Sequence, residues 1–146
     1  EVSNYYRDKP SLHNLVYWHY EDYDGVGLSA HSLKKHHRYE NTRSLTQYLE
    51  HHYLQDDIEL SMQDEMFEMI MMGLRLREGL SLELFSNKFK IDFKEKYAST
   101  INKYEKLNML MKTETQSNQN RLMHTSSKCL VWIWLNLQIH SFHLRL

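Results

Sequence analysis

A single cysteine, Cys129, stands in these 146 residues. An internal disulfide is therefore impossible, and so is a zinc or iron–sulfur site built from this chain's thiolates alone. So little cysteine fits a reducing, cytoplasmic compartment. No apolar run approaches the ~18 residues that a membrane-spanning helix needs. An excess of one charge is also missing: 18 Lys and Arg against 19 Asp and Glu leave a formal net charge of −1. That balance argues against a polyanionic partner held by bulk charge. There is no H-E-x-x-H and no Ser–His–Asp order, and His13, His19 and His31 lack the i, i+4 spacing of a helical metal pair. The opening EVSNYY has no initiator methionine, basic region or apolar stretch. No signal peptide is expected, and the chain is read as a piece of something longer.

What is present is an ordinary globular mixture, 41% apolar and 25% charged, on a chain long enough to bury a core. Ten histidines make the net charge sensitive to pH between about 5 and 8. Eight methionines point to adaptable apolar surface.

Residues 1–50 read as irregular with short strands, the first over Glu1–Tyr6, and the only proline, Pro10, interrupts the chain after it. Thr42–Tyr53 reads as a short helix with Leu45, Tyr48 and Leu49 on one side. From Ser61 the apolar period becomes helical. Ser61 and Asp64 form a capping box, and Met66, Phe67, Ile70, Met71 and Leu74 make the stripe of a helix that Gly79 is expected to stop. Ser81 caps the next helix, whose face is Leu82, Phe85 and Phe89. Asp92 and Glu95 open a third, with Phe93, Tyr97, Ile101, Tyr104 and Leu107 as its stripe and an end near Leu110. MLMKTET and RLMHT then flank QSNQN as a hairpin. Three helices and a hairpin outline a winged helix, so the expected class is α+β, mainly α. The last stretch, CLVWIWLNLQIHSFHLRL, carries neither cap nor turn signal, and reads as a buried strand or an aggregating edge.

HNLVYW, residues 13–18, is the candidate site. A neutral imidazole at His13 is a good iron or zinc ligand, and its second nitrogen needs an orienting partner, for which Asn14 is placed. Tyr17 and Trp18 offer flat faces to a planar ligand. The alternative is that Leu15, Tyr17 and Trp18 simply pack, with His13 hydrogen-bonded at the edge. GVGLSA (25–30) matches G-x-G-x-x-A, but no buried strand precedes it and no amphipathic helix comes after it. Gly25 and Gly27 are better read as a tight turn or a close approach to a ligand. Lys34, Lys35, His36, His37 and Arg38 make either a site for a phosphate or propionate or a solvated loop. His51 and His52, if helical, point about 100° apart and do not share a metal easily. Lys88–Arg121 carries eight basic and four acidic residues, a local +4, but no arginine lies in the third helix to read guanine.

HNLVYW, then YDGVGLSAHS and RYENTRSLTQYLE, together with EVSNYY and GLRLREGLSLELF, resemble the oxygen-independent coproporphyrinogen III oxidase-like radical S-adenosylmethionine proteins. The H-N-x-x-Y-W motif points to their heme-chaperone branch, HemW. The resemblance runs from residue 1 to about 125. It implies that residues 1–53 are the end of a partial (β/α) barrel with a connecting segment, and that 54–127 are a winged-helix-like C-terminal helical domain with a short β-hairpin. It leaves 128–146 as an atypical apolar tail, for which an altered reading frame or a degraded end is the expectation. In that branch the motif histidine binds heme, which carries over to His13 as iron ligand; Asn14, Tyr17 and Trp18 would shape the pocket. S-adenosylmethionine and a 4Fe–4S cluster would belong to a missing N-terminal part bearing three cysteines, so this chain alone would start no radical chemistry. The expected function is to hold heme and pass it to an acceptor protein, with the acceptor at the membrane. The alternatives are a fragment of a coproporphyrinogen oxidase acting on a porphyrin, and a winged-helix nucleic-acid binder. No nucleic-acid partner is expected.

Overall fold

The computed structural model describes residues 9–76, 78–114 and 120–124. The expected Glu1–Tyr6 strand, the middle of the hairpin turn and the apolar tail lie outside these residues. The described chain is a mixed α/β structure with six helices and two small antiparallel sheets. It divides into two units between Glu65 and Met66.

The first unit holds α1 (Leu12–Trp18), β1 (His31–Lys34), β2 (His37–Asn41), α2 (Leu45–Leu49) and β3 (Leu54–Glu59). The strands form one antiparallel sheet in the order β1-β2-β3. Lys35 and His36 make the two-residue turn between β1 and β2, both at positive φ (50° and 71°), as a tight hairpin demands. A register shift between Glu40 and Asn41 ends the regular pairing of β2 with β3. β3 begins at Leu54, where the sequence suggested a second segment, and pairs with β2 of the first. The core here is small: Tyr20, Leu33, Ser32 and Thr42 are buried.

Two expectations for this unit are corrected. HNLVYW is helical rather than irregular or strand-like. The helix expected over Thr42–Tyr53 shrinks to Leu45–Leu49, and Leu45 and Leu49 are exposed. Thr42 explains the shrinkage. Its N–H donates to the Tyr53 carbonyl at 2.6 Å and its hydroxyl donates to Gln47 Oε1 at 2.8 Å, so it closes the β2–β3 connection instead of starting a helix. His51 stands beyond the helix at φ 66°, and the N–H of His52 bonds back to the Gln47 carbonyl at 2.8 Å. The two histidines therefore belong to a left-handed stop, not to a helix face.

The second unit takes α3 (Met62–Gly73, entering from the first), β4 (Leu80–Ser81), α4 (Leu82–Phe89), α5 (Phe93–Lys96), α6 (Ala98–Lys106), β5 (Leu110–Glu114) and β6 (Asn120–His124). Ser61 Oγ accepts from the Asp64 N–H at 3.2 Å, which is the first half of the expected box, and it donates to the Asp64 carboxylate at 2.7 Å, so that carboxylate meets the hydroxyl rather than completing the box on the backbone. Ser81 caps α4, and Asp92 caps α5. The hairpin is present, with β5 and β6 paired from Leu110↔His124 to Glu114↔Asn120, and β4 adds to β6. The core is Met66, Met69, Ile70, Leu74, Leu80, Leu82, Phe85, Phe89, Phe93, Ile101, Tyr104, Leu110 and Leu122.

Three helix ends differ from expectation. α3 stops at Gly73, not Gly79. A Cβ on Gly73 would lie 2.7 Å from Leu80 Cδ1 and 3.2 Å from its Cα, so the chain doubles back onto a glycine that only a missing side chain permits. Gly79, at φ 76°, then serves the turn into β4. The third helix is two, α5 and α6, separated by Tyr97 at φ −108° and ψ 19°. It ends at Lys106 rather than near Leu110, leaving Leu107 exposed while Leu110 is buried in β5.

The Tyr104 hydroxyl is buried and meets no hydrogen-bond partner among the described residues. Burial pushes its pKa up, because the charged phenolate is the form that burial penalises. Tyr104→Phe removes an unsatisfied polar group and keeps the ring. It is expected to stabilise the protein by about 1 kcal/mol, read as a higher urea midpoint; a lower midpoint would show that the hydroxyl is satisfied.

Candidate heme-handling face

The site residues are set out by a short helix with unusual ends. Ser11 caps α1, its Oγ accepting from the Asn14 N–H. At the other end the Tyr20 N–H bonds to the Tyr17 carbonyl at 3.1 Å and the Glu21 N–H to the Val16 carbonyl at 3.0 Å. This is the Schellman pattern, and Tyr20, at φ 58°, holds the left-handed position where glycine is usual. Tyr20 is buried at 7% exposure, so packing rather than backbone freedom keeps it there.

With α1 in place, the motif spacing becomes geometry. At about 100° per residue, positions 13, 14, 17 and 18 fall on one side of a helix, and Leu15 and Val16 on the other. His13, Asn14, Tyr17 and Trp18 thus share a face, with His13 exposed and the other three half-buried. His13 Nε2 and Tyr17 Oη share a hydrogen bond of 3.0 Å, and the two rings stand edge-to-face with centroids 5.0 Å apart. The side chain that bonds the His13 ring is therefore Tyr17, four residues on, and it does so at Nε2. Tyr17 is held in turn by Tyr23, edge-to-face at 4.5 Å. The Tyr23 backbone is fixed by a pair of bonds with Leu33, 2.9 and 3.0 Å.

The loop after α1 brings in the two glycines, for different reasons. Gly25 sits so close to β1 that a Cβ would lie 2.2 Å from the His31 carbonyl oxygen. Its N–H donates to Ser32 Oγ at 2.9 Å. Gly27 is at φ 108° with open space around it, and its carbonyl accepts from Asn41 Nδ2 at 2.9 Å. β1 begins at His31 directly after GVGLSA, so the strand-and-helix setting of a dinucleotide fingerprint is absent from this stretch.

The basic cluster meets carboxylates of the chain itself. Lys34 Nζ lies 3.0 Å from Asp24, His36 Nδ1 lies 2.6 Å from the buried Glu65, and His37 Nδ1 lies 2.7 Å from Asp57. The Asp24 contact also raises the Lys34 pKa, first by its hydrogen bond. These pairings engage Lys34, His36 and His37 of the cluster within the chain. His51 bonds the Tyr53 hydroxyl, with Tyr48 edge-on to Tyr53. Among the described residues no three His, Cys, Asp or Glu side chains gather to hold a metal, and no helix is long and apolar enough to cross a membrane.

The donor chemistry of α1 fits a heme: an exposed imidazole, with a half-buried phenol and indole on the same helix. The S-adenosylmethionine cluster does not fit, since it takes three cysteines and the chain has one.

Known proteins agree with the motif resemblance. Residues 60–116 match the HemN C-terminal domain. The heme chaperone HemW of Lactococcus lactis subsp. lactis (strain IL1403) is 30% identical over 137 residues, covering 88% of this chain and 33% of that protein. The chain thus spans about a third of the length of the curated relative it matches. Coproporphyrinogen III oxidase (HemN) from Escherichia coli, described as a radical SAM enzyme, shares the fold at a TM-score of 0.56 and 16% identity, over 82% of this chain and 29% of that one. The chain is thus similar to the HemN C-terminal domain over residues 60–116 and to HemW over most of its length, and it shares its fold with HemN.

Proposed function

We propose that this chain is the heme-handling part of a HemW-like protein, which binds heme on the α1 face and passes it to an acceptor protein. The observation that carries this is the gathering of His13, Asn14, Tyr17 and Trp18 on one helix face, with the imidazole exposed. His13 supplies the iron ligand. Tyr17, Trp18 and Asn14 shape the surface for the macrocycle, and the turn at Gly25 and Gly27 is the backbone segment nearest in sequence to approach it. Heme, when bound, supplies an iron whose electronics its axial ligand sets. The 4Fe–4S cluster and S-adenosylmethionine belong to the rest of a full-length protein, in the cytoplasm, with the acceptor at the membrane. In this frame residues 1–53 are the end of a (β/α) barrel with its connection and 54–127 the C-terminal domain. The order α3, α4, α5–α6, hairpin supports reading this part as a winged-helix-like module that is structural rather than one that reads nucleic acid.

A titration with heme, monitored by absorbance, on the chain and on His13→Ala tests this. Saturable binding that weakens at least tenfold in the variant is expected. Equal binding by both would mean uptake by aromatic surface and would remove His13 from the site. The fold likeness to HemN favours a second reading, a fragment of a coproporphyrinogen oxidase. A porphyrin would then lie on the same face without an iron ligand, so metal-free porphyrin would bind as tightly as heme and His13→Ala would hardly matter.

A further inference from the structure

We infer that Tyr17 is an internal competitor for the heme iron, and that its hydroxyl makes binding at His13 readily reversible. This rests on the reading of α1 as the heme-handling face. The two ring nitrogens of His13 are not equivalent. Nδ1 adjoins the carbon that carries Cβ, so a flat macrocycle approaching it meets the side chain's own stem and the helix. Nε2 is the nitrogen that projects outward, and the iron must take it. Nε2 is also the nitrogen that bonds Tyr17 Oη, at 3.0 Å. One lone pair cannot serve both: if Tyr17 O–H donates to Nε2, the iron must displace it, and if Nε2–H donates to Tyr17, the proton must first move to Nδ1.

The geometry also says which partner moves. Tyr17 is half-buried, edge-on to Tyr23 at 4.5 Å, and Tyr23 is fixed to Leu33 by paired backbone bonds. His13 is exposed. The imidazole therefore turns away from a stationary phenol to take iron, and turns back as iron leaves. A bond that re-forms within the helix replaces the iron–nitrogen bond as it breaks. Such an arrangement suits a carrier, which must release its cargo to an acceptor, better than an enzyme with a resident heme. Tyr17 is a positioning residue here, acting through His13.

The consequence has an unusual sign: deleting a polar group of the motif strengthens binding. Tyr17→Phe keeps the ring and its contact with Tyr23 and removes only the competitor. Heme affinity is expected to rise about two- to tenfold, the worth of one net hydrogen bond. Release to an excess of apomyoglobin is expected to slow by a similar factor, with the absorbance spectrum of the complex unchanged. Without heme, nitrogen-15 NMR of the His13 ring should show a single tautomer in the parent chain and a mixture in Tyr17→Phe, which a purely structural Tyr17 would not produce. Equal or weaker binding by Tyr17→Phe overturns the inference, and so does an altered spectrum, which would make Tyr17 itself the ligand. If His13→Ala binds as well as the parent chain, the heme-handling face has failed and the competitor fails with it. If His13→Ala loses binding while Tyr17→Phe is unchanged, the face stands and only the competitor falls.

Discussion

Phe85→Ala is expected to cost the second unit about 3–5 kcal/mol, the range for emptying a fully buried aromatic site. A whole domain of this size is stable by only about 5–15 kcal/mol, so much of the chain should be unfolded by mild urea. Phe85 is 0% exposed, and its ring meets Phe89 at 4.7 Å, Phe93 at 4.9 Å and Tyr97 at 6.4 Å. It is thus the point where α4, α5 and the break before α6 share one aromatic cluster. A cavity there has rings on several sides, none free to fill it without leaving its own partners. Leu107→Ala is the control. Leu107 belongs in sequence to the apolar stripe of the third helix but is 57% exposed, and its loss should stay within about 0.5 kcal/mol. Urea midpoints of the two variants decide the matter; similar values would mean that the packing around Phe85 is not as described.

The contrast between Phe85 and Leu107 shows what the sequence could carry. Caps and stripes in the second unit were legible because each is local: Ser61, Ser81 and Asp92 announce themselves within four residues, and Phe85 and Phe89 repeat at helix spacing. Helix ends were not. The chain has four glycines, and its left-handed stops fall on Tyr20, His51, Lys90 and Asn108 instead. A stop held by burial or by a carbonyl earlier in the chain leaves no residue-type signal. The sequence therefore pointed to Gly79, a real turn, for an end that Gly73 makes through contact with Leu80, seven residues on.

The candidate site was legible as a motif and not as a geometry. His13, Asn14, Tyr17 and Trp18 were singled out from their chemistry. Their i, i+1, i+4, i+5 spacing is helical, but α1 has only seven residues, comes just after the only proline and ends near a tyrosine stop. Nothing local distinguished it from loop. Once it is a helix, the partner of His13 is set by spacing alone: Tyr17 is four residues away and faces it, whereas Asn14 is one residue away and does not. The pairing of His36 with Glu65 and of His37 with Asp57 joins residues 29 and 20 apart in sequence, and only the folded sheet and α3 bring them together.

Gly25→Ala is expected to damage the first unit far more than Gly27→Ala, although the two stand as equals in G-x-G. At Gly25 a new Cβ would meet the His31 carbonyl oxygen at 2.2 Å, its carbon at 2.9 Å and Ala30 Cβ at 3.0 Å. Two of these three atoms are backbone, so relief requires the start of β1 to move. That shift carries the Gly25–Ser32 bond with it, and strains the Tyr23–Leu33 pairing that positions the ring behind Tyr17. Forced overpacking of this kind should cost about 3 kcal/mol. At Gly27 nothing lies within 4 Å of the added Cβ. The penalty there is only that of placing alanine at positive φ, about 1 kcal/mol. Hydrogen exchange reads the difference directly. The amides of Tyr23 and Leu33 should lose protection in Gly25→Ala and keep most of it in Gly27→Ala. The same ordering should hold for the His13–Tyr17 pair, because the phenol that holds the imidazole rests on Tyr23. If Gly27→Ala proved the more damaging, positive φ would be what these glycines supply, and the close approach of the two backbone segments would not be what fixes this loop.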